Sequence, residues 1–141
     1  MPALVSPEGI ITIFATADPA PDYIPRLYTL VSFDGGESFL GPFVQTPEAG
    51  GSHDDARFAD LDSTGAVHAT WLERLPTDPW WWPASVYYGM SNDSGVSFTY
   101  RKLVMANDPD HILYAGPALA VSAPGLPSVI DSLGYYTECG R

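Results

Sequence analysis

Cysteine is nearly absent: Cys139 is the one thiol in 141 residues. A lone cysteine closes no intramolecular disulfide, and zinc sites built from four cysteines, or from two cysteines and two histidines, are excluded. Basic residues are scarce as well, six against 17 acids, for a formal net charge of −11. Nucleic acid needs clustered Lys and Arg, so it is not an expected partner. An anionic membrane surface is disfavoured for the same reason. No apolar run approaches the roughly 18 residues of a membrane-spanning helix. The opening Met1-Pro2-Ala3-Leu4-Val5-Ser6-Pro7-Glu8 has no basic region and no long apolar stretch, so no signal peptide is expected there. The compartment is left open. No segment carries the 3.6-residue period of an amphipathic helix. No cofactor and no bound metal are expected.

What the chain does have is turn-forming and aromatic residues. Gly and Pro make up 27 of the 141 residues, and 18 are aromatic. Proline breaks helices, while aromatic and β-branched residues supply packing. Turn-rich, aromatic-rich and only 16% charged, the composition points to an all-β fold in a single domain.

The chain also repeats itself. Arg26-Leu27-Tyr28-Thr29-Leu30-Val31-Ser32-Phe33-Asp34-Gly35-Gly36-Glu37-Ser38-Phe39 aligns without a gap on Ser85-Val86-Tyr87-Tyr88-Gly89-Met90-Ser91-Asn92-Asp93-Ser94-Gly95-Val96-Ser97-Phe98, at an offset of 59. A weaker element, an apolar run, a tight turn containing Gly and a second apolar run, occurs near residues 2–13, 57–71 and 118–130. Strands are expected near 3–5, 10–16, 26–32 and 39–45, then near 56–61, 66–73, 85–91 and 98–104, then near 118–122 and 127–131. Leu133 to Thr137 could add one more. Four-stranded antiparallel units repeated every 50–60 residues read as β-propeller blades. The blades would span about 2–46 and 55–105, with a partial third over about 117–137.

The shared motif, Ser-x-Asp-x-Gly-x-Ser-Phe, suits a self-fastened hairpin turn. The Asp accepts hydrogen bonds from nearby backbone N–H groups, and the Gly takes a positive φ without steric cost. The Ser adds a local bond, and the Phe can fold beneath the turn as an apolar plug. At these residues, Ser32, Asp34, Gly36 and Phe39, then Ser91, Asp93, Gly95 and Phe98, the chain resembles the Asp-box (BNR) repeat family. That family includes sialidases and many non-catalytic propellers. The resemblance implies a structural role for the boxes, between the third and fourth strands of each blade and away from any active site. One carboxylate per turn is too few ligands for calcium.

A sialidase-like site would require an arginine triad, a Tyr nucleophile assisted by Glu, and an Asp acid/base. The arginines are Arg26, Arg57, Arg74, Arg101 and Arg141. Tyr23-Ile24-Pro25-Arg26 holds the residues of the family's Tyr/Phe-Arg-Ile-Pro signature in a different order, so that role is not carried over. No residue is assigned a catalytic role.

Binding chemistry collects in the segments expected at the other end of the blades: 17–25, 46–55, 74–84 and 105–117. Asp78-Pro79-Trp80-Trp81-Trp82-Pro83 reads either as a platform of flat rings for stacking on sugars or as an apolar lid over a neighbouring blade or subunit. His53, Asp54, Asp55 and Arg57 form one acidic, His-bearing group; Asp108, Asp110 and His111 form another. Such groups bind a divalent cation, transfer protons, or simply shape solvated turns. His68, inside a strand, is expected to be packed or hydrogen-bonded. With Asp18, Asp22, Glu48, Asp54, Asp55, Asp78, Asp108 and Asp110 on that side, an anionic sugar would be repelled.

Two function classes follow. One is a non-catalytic module that binds a neutral glycan or a protein partner, or acts as a scaffold. The other is a fragment of a sialidase-like glycoside hydrolase whose catalytic residues lie mostly outside this chain. An arc of so few blades leaves apolar faces and an unpaired edge at its ends, so a homo-oligomer is expected, most simply a trimer.

Overall fold

The computed structural model describes residues 2–17, 26–45, 52–74, 85–104, 118–121 and 127–130. All regular structure among them is β. Strands β1 (Ala3–Val5), β2 (Ile11–Ala17), β3 (Arg26–Ser32) and β4 (Leu40–Val44) form a first sheet in chain order. Strands β5 (Ser52–Leu61), β6 (Val67–Arg74), β7 (Ser85–Ser91) and β8 (Thr99–Val104) form a second. A two-stranded sheet of β9 (Ala118–Val121) and β10 (Pro127–Ile130) follows. Every pairing is antiparallel. Pro42 lies in β4, an edge strand with a register shift against β3, where a missing N–H costs least.

One strand starts earlier than its sequence suggests. The chain before residue 56 reads as a link, yet β5 begins at Ser52 and pairs with β6 from Arg74 inward. Two register shifts, between Asp54 and Ala56 and between Ala56 and Phe58, leave Asp55 and Arg57 as the extra residues of bulges. A bulge breaks the two-residue alternation, which is why a strand carrying His53, Asp54 and Asp55 does not look like one. The possible strand at Leu133 to Thr137 lies outside the described residues.

The sheets are stacked. The front face of the first carries Thr12, Phe14, Leu27, Thr29 and Val31, all buried. Against it lies the rear face of the second sheet, with Val67, Ala69, Trp71 and Tyr87; these four join Phe14 and Leu27 in the core. Strand β5 packs against β2 and β3, and β9 packs in turn against β5 and β6.

Trp71 sets the fit of that core. Its ring stacks on Tyr87, with centroids 6.0 Å apart, and meets Phe98 edge-on at 6.5 Å. The room for it comes from Gly89: a Cβ there would stand 2.7 Å from Trp71 Cη2 and 3.0 Å from Phe98 Cδ1. Gly89→Ala is therefore expected to overpack the core and destabilise the protein by about 1–3 kcal/mol. Thermal melting checks this: an unchanged melting temperature would mean that Trp71 can move aside.

Candidate functional site

The β3–β4 and β7–β8 turns are the same structure built twice. In the first, Ser32 Oγ donates to Asp34 Oδ1 at 2.7 Å and accepts the Gly36 N–H at 2.8 Å. The Ser38 N–H reaches Asp34 Oδ1 at 2.9 Å, and the Ser38 hydroxyl reaches Oδ2 at 2.5 Å. In the second, Ser91 Oγ donates to Asp93 Oδ1 at 2.6 Å and accepts the Gly95 N–H at 2.7 Å. Ser97 binds Asp93 through its N–H at 2.9 Å and its hydroxyl at 2.5 Å. Both oxygens of each carboxylate are thus engaged within their own turn. The Ser38 hydroxyl, the Ser38 N–H and the Ser32 hydroxyl hold the Asp34 carboxyl well below the usual carboxylate range. At Asp93 burial pushes the other way, but hydrogen bonds from Ser91 and Ser97 still lower it.

The environments of the two turns differ. The second is wedged against the first sheet. Thr12 Oγ1 donates to the Ser94 carbonyl at 2.6 Å, and Thr29 Oγ1 donates to the Gly95 carbonyl at 2.5 Å. The Gln45 amide donates to Thr29 Oγ1 at 2.9 Å and to the Val96 carbonyl at 3.1 Å. Gly95, at φ +96°, sits so close that a Cβ would stand 2.6 Å from Thr12 Cγ2. Phe98 plugs the core beneath, its ring centroid 5.9 Å from that of Phe14. The first turn is exposed throughout, and Phe39, expected as a plug, is 40% exposed. The reason is local: no other sheet lies over it among the described residues.

A second polar feature was only half visible in the sequence. Asp62, in the β5–β6 turn, accepts from the Thr64 N–H at 2.8 Å, the Thr64 hydroxyl at 2.6 Å and the Ala66 N–H at 3.0 Å. Its other oxygen stands 3.2 Å from His68 Nε2, and His68 Nδ1 stands 2.7 Å from the Tyr88 hydroxyl. This network is satisfied if neutral His68 carries its proton on Nε2 and accepts from Tyr88. The Thr64 hydroxyl is the largest influence holding the Asp62 carboxyl well below its usual range; burial opposes it, and His68 and the Thr64 and Ala66 N–H groups assist. His68 is completely buried and hydrogen-bonded, as expected of a histidine within a strand. Its partners come from a turn and another strand, a grouping that linear spacing does not display.

Of the remaining candidates, those on β5 fall within the described strands. His53 and Asp54 pair in register with Glu73 and Leu72, and Asp55 and Arg57 occupy the bulges of β5. Trp80, Trp81 and Trp82, and also Asp108, Asp110 and His111, lie outside the described residues. The strands flanking the tryptophan segment end at Arg74 and resume at Ser85, on the same end of the second sheet as Ser52. Among the described residues, no three of His, Cys, Asp or Glu cluster as a metal ion would require.

No family model and no curated protein matches the chain. Among solved structures, it is similar to a protein of unknown function from Dyadobacter fermentans DSM 18053, with 19% identity and a TM-score of 0.53. The match covers 71% of this chain and 26% of that one, so the chain spans about a quarter of that protein's length. At this identity the likeness concerns the fold alone.

Two outcomes follow for the turns. Asp93→Ala should destabilise by about 1–3 kcal/mol, because the turn it fastens presents the carbonyls that Thr12, Thr29 and Gln45 hold. Asp34→Ala should cost less, since water replaces the lost bonds around an exposed turn; equal losses in denaturant titrations would contradict this. Asp34, Asp62 and Asp93 all have lowered carboxyl pKa values in the fold. Their contribution is therefore complete above the unfolded-state pKa of about 3.9 and is lost as pH falls below it. Melting temperature should drop progressively from about pH 5 downward, and less steeply in Asp62→Asn.

Proposed function

We propose that this chain is a non-catalytic module of Asp-box propeller blades that binds a neutral glycan or a protein partner, or serves as a scaffold. The observation that carries this reading is how the boxes use their chemistry. Each carboxylate is spent on its own turn, and the second turn fastens one sheet to the next. A group engaged in that way holds shape and is not poised to transfer protons or to attack a substrate. The stacked four-stranded sheets, each in simple chain order, support the blade reading.

Under this reading the ligand is met at the end away from the boxes, where Trp80, Trp81 and Trp82 supply rings for a sugar to stack on. The local excess of acids favours a neutral ligand over an anionic one.

Glycan-array or calorimetric binding tests the proposal. Binding to a neutral glycan should be lost in the Trp81→Ala, Trp82→Ala double variant, while Asp34→Ala binds normally. A double variant that binds like wild type removes the ring platform. Turnover of a fluorogenic sialoside by the wild-type chain overturns the non-catalytic reading.

A further inference from the structure

The β1–β2 and β5–β6 turns are also one structure built twice. The Ser6 N–H donates to the Ile10 carbonyl at 2.9 Å, as the Asp62 N–H donates to the Ala66 carbonyl at 3.0 Å. The Gly9 N–H reaches the Ser6 carbonyl at 2.9 Å, as the Gly65 N–H reaches the Asp62 carbonyl at 3.0 Å. In each turn the first side chain accepts the N–H four residues on: Ile10 donates to Ser6 Oγ at 3.3 Å, and Ala66 to Asp62 Oδ1 at 3.0 Å. The strands correspond as well, since Thr12 pairs with Leu4 as His68 pairs with Asp60. Ser6 and Thr12 therefore stand where the second sheet has Asp62 and His68.

The two pairs differ in reach. Asp62 and His68 meet directly, with Oδ2 3.2 Å from Nε2. Serine and threonine are each shorter, and Ser6 and Thr12 line a small cavity instead, together with Leu61, Gly65, Val67 and Ser94. It leaves about 10 Å³ for the centre of a water molecule, which is room for one. The polar groups on its wall have capacity to spare. Ser6 Oγ accepts from Ile10, but its own proton has no acceptor among the described residues. Thr12 gives its proton to the Ser94 carbonyl at 2.6 Å, which leaves its hydroxyl oxygen able to accept. Ser94 has φ +62°, where the first box has Gly35 at +74°. A left-handed serine carries a strain that glycine avoids, and glycine would bring no hydroxyl to this wall.

We infer that this cavity is a binding site for a single water molecule that joins the first two sheets. The water accepts the Ser6 hydroxyl proton, donates one hydrogen to Thr12 Oγ1 and offers the other to Ser94 Oγ. That makes about three hydrogen bonds, the usual number for a buried water. It does between Ser6 and Thr12 what direct contact does between Asp62 and His68, and it adds a tie to the second box turn. A dry cavity would leave the Ser6 proton without an acceptor beside Leu61 and Val67, at the cost of an unmet polar group. The site lies at the box end and does not depend on the proposed binding function.

A crystal structure of the 141-residue chain, at a resolution that shows ordered solvent, tests this. One water should lie within about 3 Å of both Ser6 Oγ and Thr12 Oγ1. Density that leaves the site empty, or that shows the Ser6 hydroxyl bonded elsewhere, overturns the inference. In solution, oxygen-17 magnetic relaxation dispersion counts long-lived waters. Val67→Ile adds a methyl group at the cavity wall, so it should lose one such water relative to wild type and melt at a lower temperature. A dry gap would respond in the opposite sense, because filling it with a methyl group improves packing. A Val67→Ile variant that melts higher than wild type therefore overturns the inference too.

Discussion

The relation of the first two sheets depends on three polar side chains, Thr12, Thr29 and Gln45, taking the carbonyls of a turn. A turn tip driven between two sheets brings main-chain oxygens into a place with little water, and each must find a donor. The donors stand on the face that also carries Phe14 and Leu27, so apolar packing and carbonyl capture happen together. The Ser91–Asp93–Ser97 network belongs to the same device, because it fixes the turn in the shape that aims those oxygens outward. Gly95 completes it: any larger residue would hold the turn away from Thr12.

This gives a physical reason for two occurrences of one motif with unequal roles. Hydrogen bonds inside the turn are the same at Asp34 and at Asp93, so local sequence dictates local shape in both. What differs is the neighbour. Phe98 becomes core because the first sheet and Trp71 surround it, while Phe39, in the same motif position, remains partly exposed. A motif can thus specify its own fold completely and still leave its energetic weight to whatever packs against it.

The strand plan was legible because apolar runs and turn residues alternate cleanly along most of the chain. Nine of the ten described strands lie within a residue or so of the positions read from sequence, and the start of β5 shows where such reading fails. Asp55 and Arg57 are bulge residues, and bulges are set by pairing with β6, which no local pattern announces. The Asp62–His68–Tyr88 chain illustrates the same limit, since its members meet only once β5, β6 and β7 are side by side. The repeated motifs were legible as turns, but the grip of the second on the neighbouring sheet was not: Thr12, Thr29 and Gln45 look like ordinary strand-face residues until that turn lies across them.

The pairing of Trp71 with Gly89 also governs which sheet can follow which. At the equivalent positions the first sheet holds Ala15 and Leu30, so the bulk lies on the second strand in one sheet and on the third in the other. Each rear face therefore has its own relief, with a ridge where its counterpart has a hollow. A front face shaped to receive the indole ridge would leave a void over Ala15 and collide with Leu30. Volume acts here as a sorting code: repeats alike in backbone and turn are kept from exchanging places, and the order of the sheets is written in the contours of their side chains.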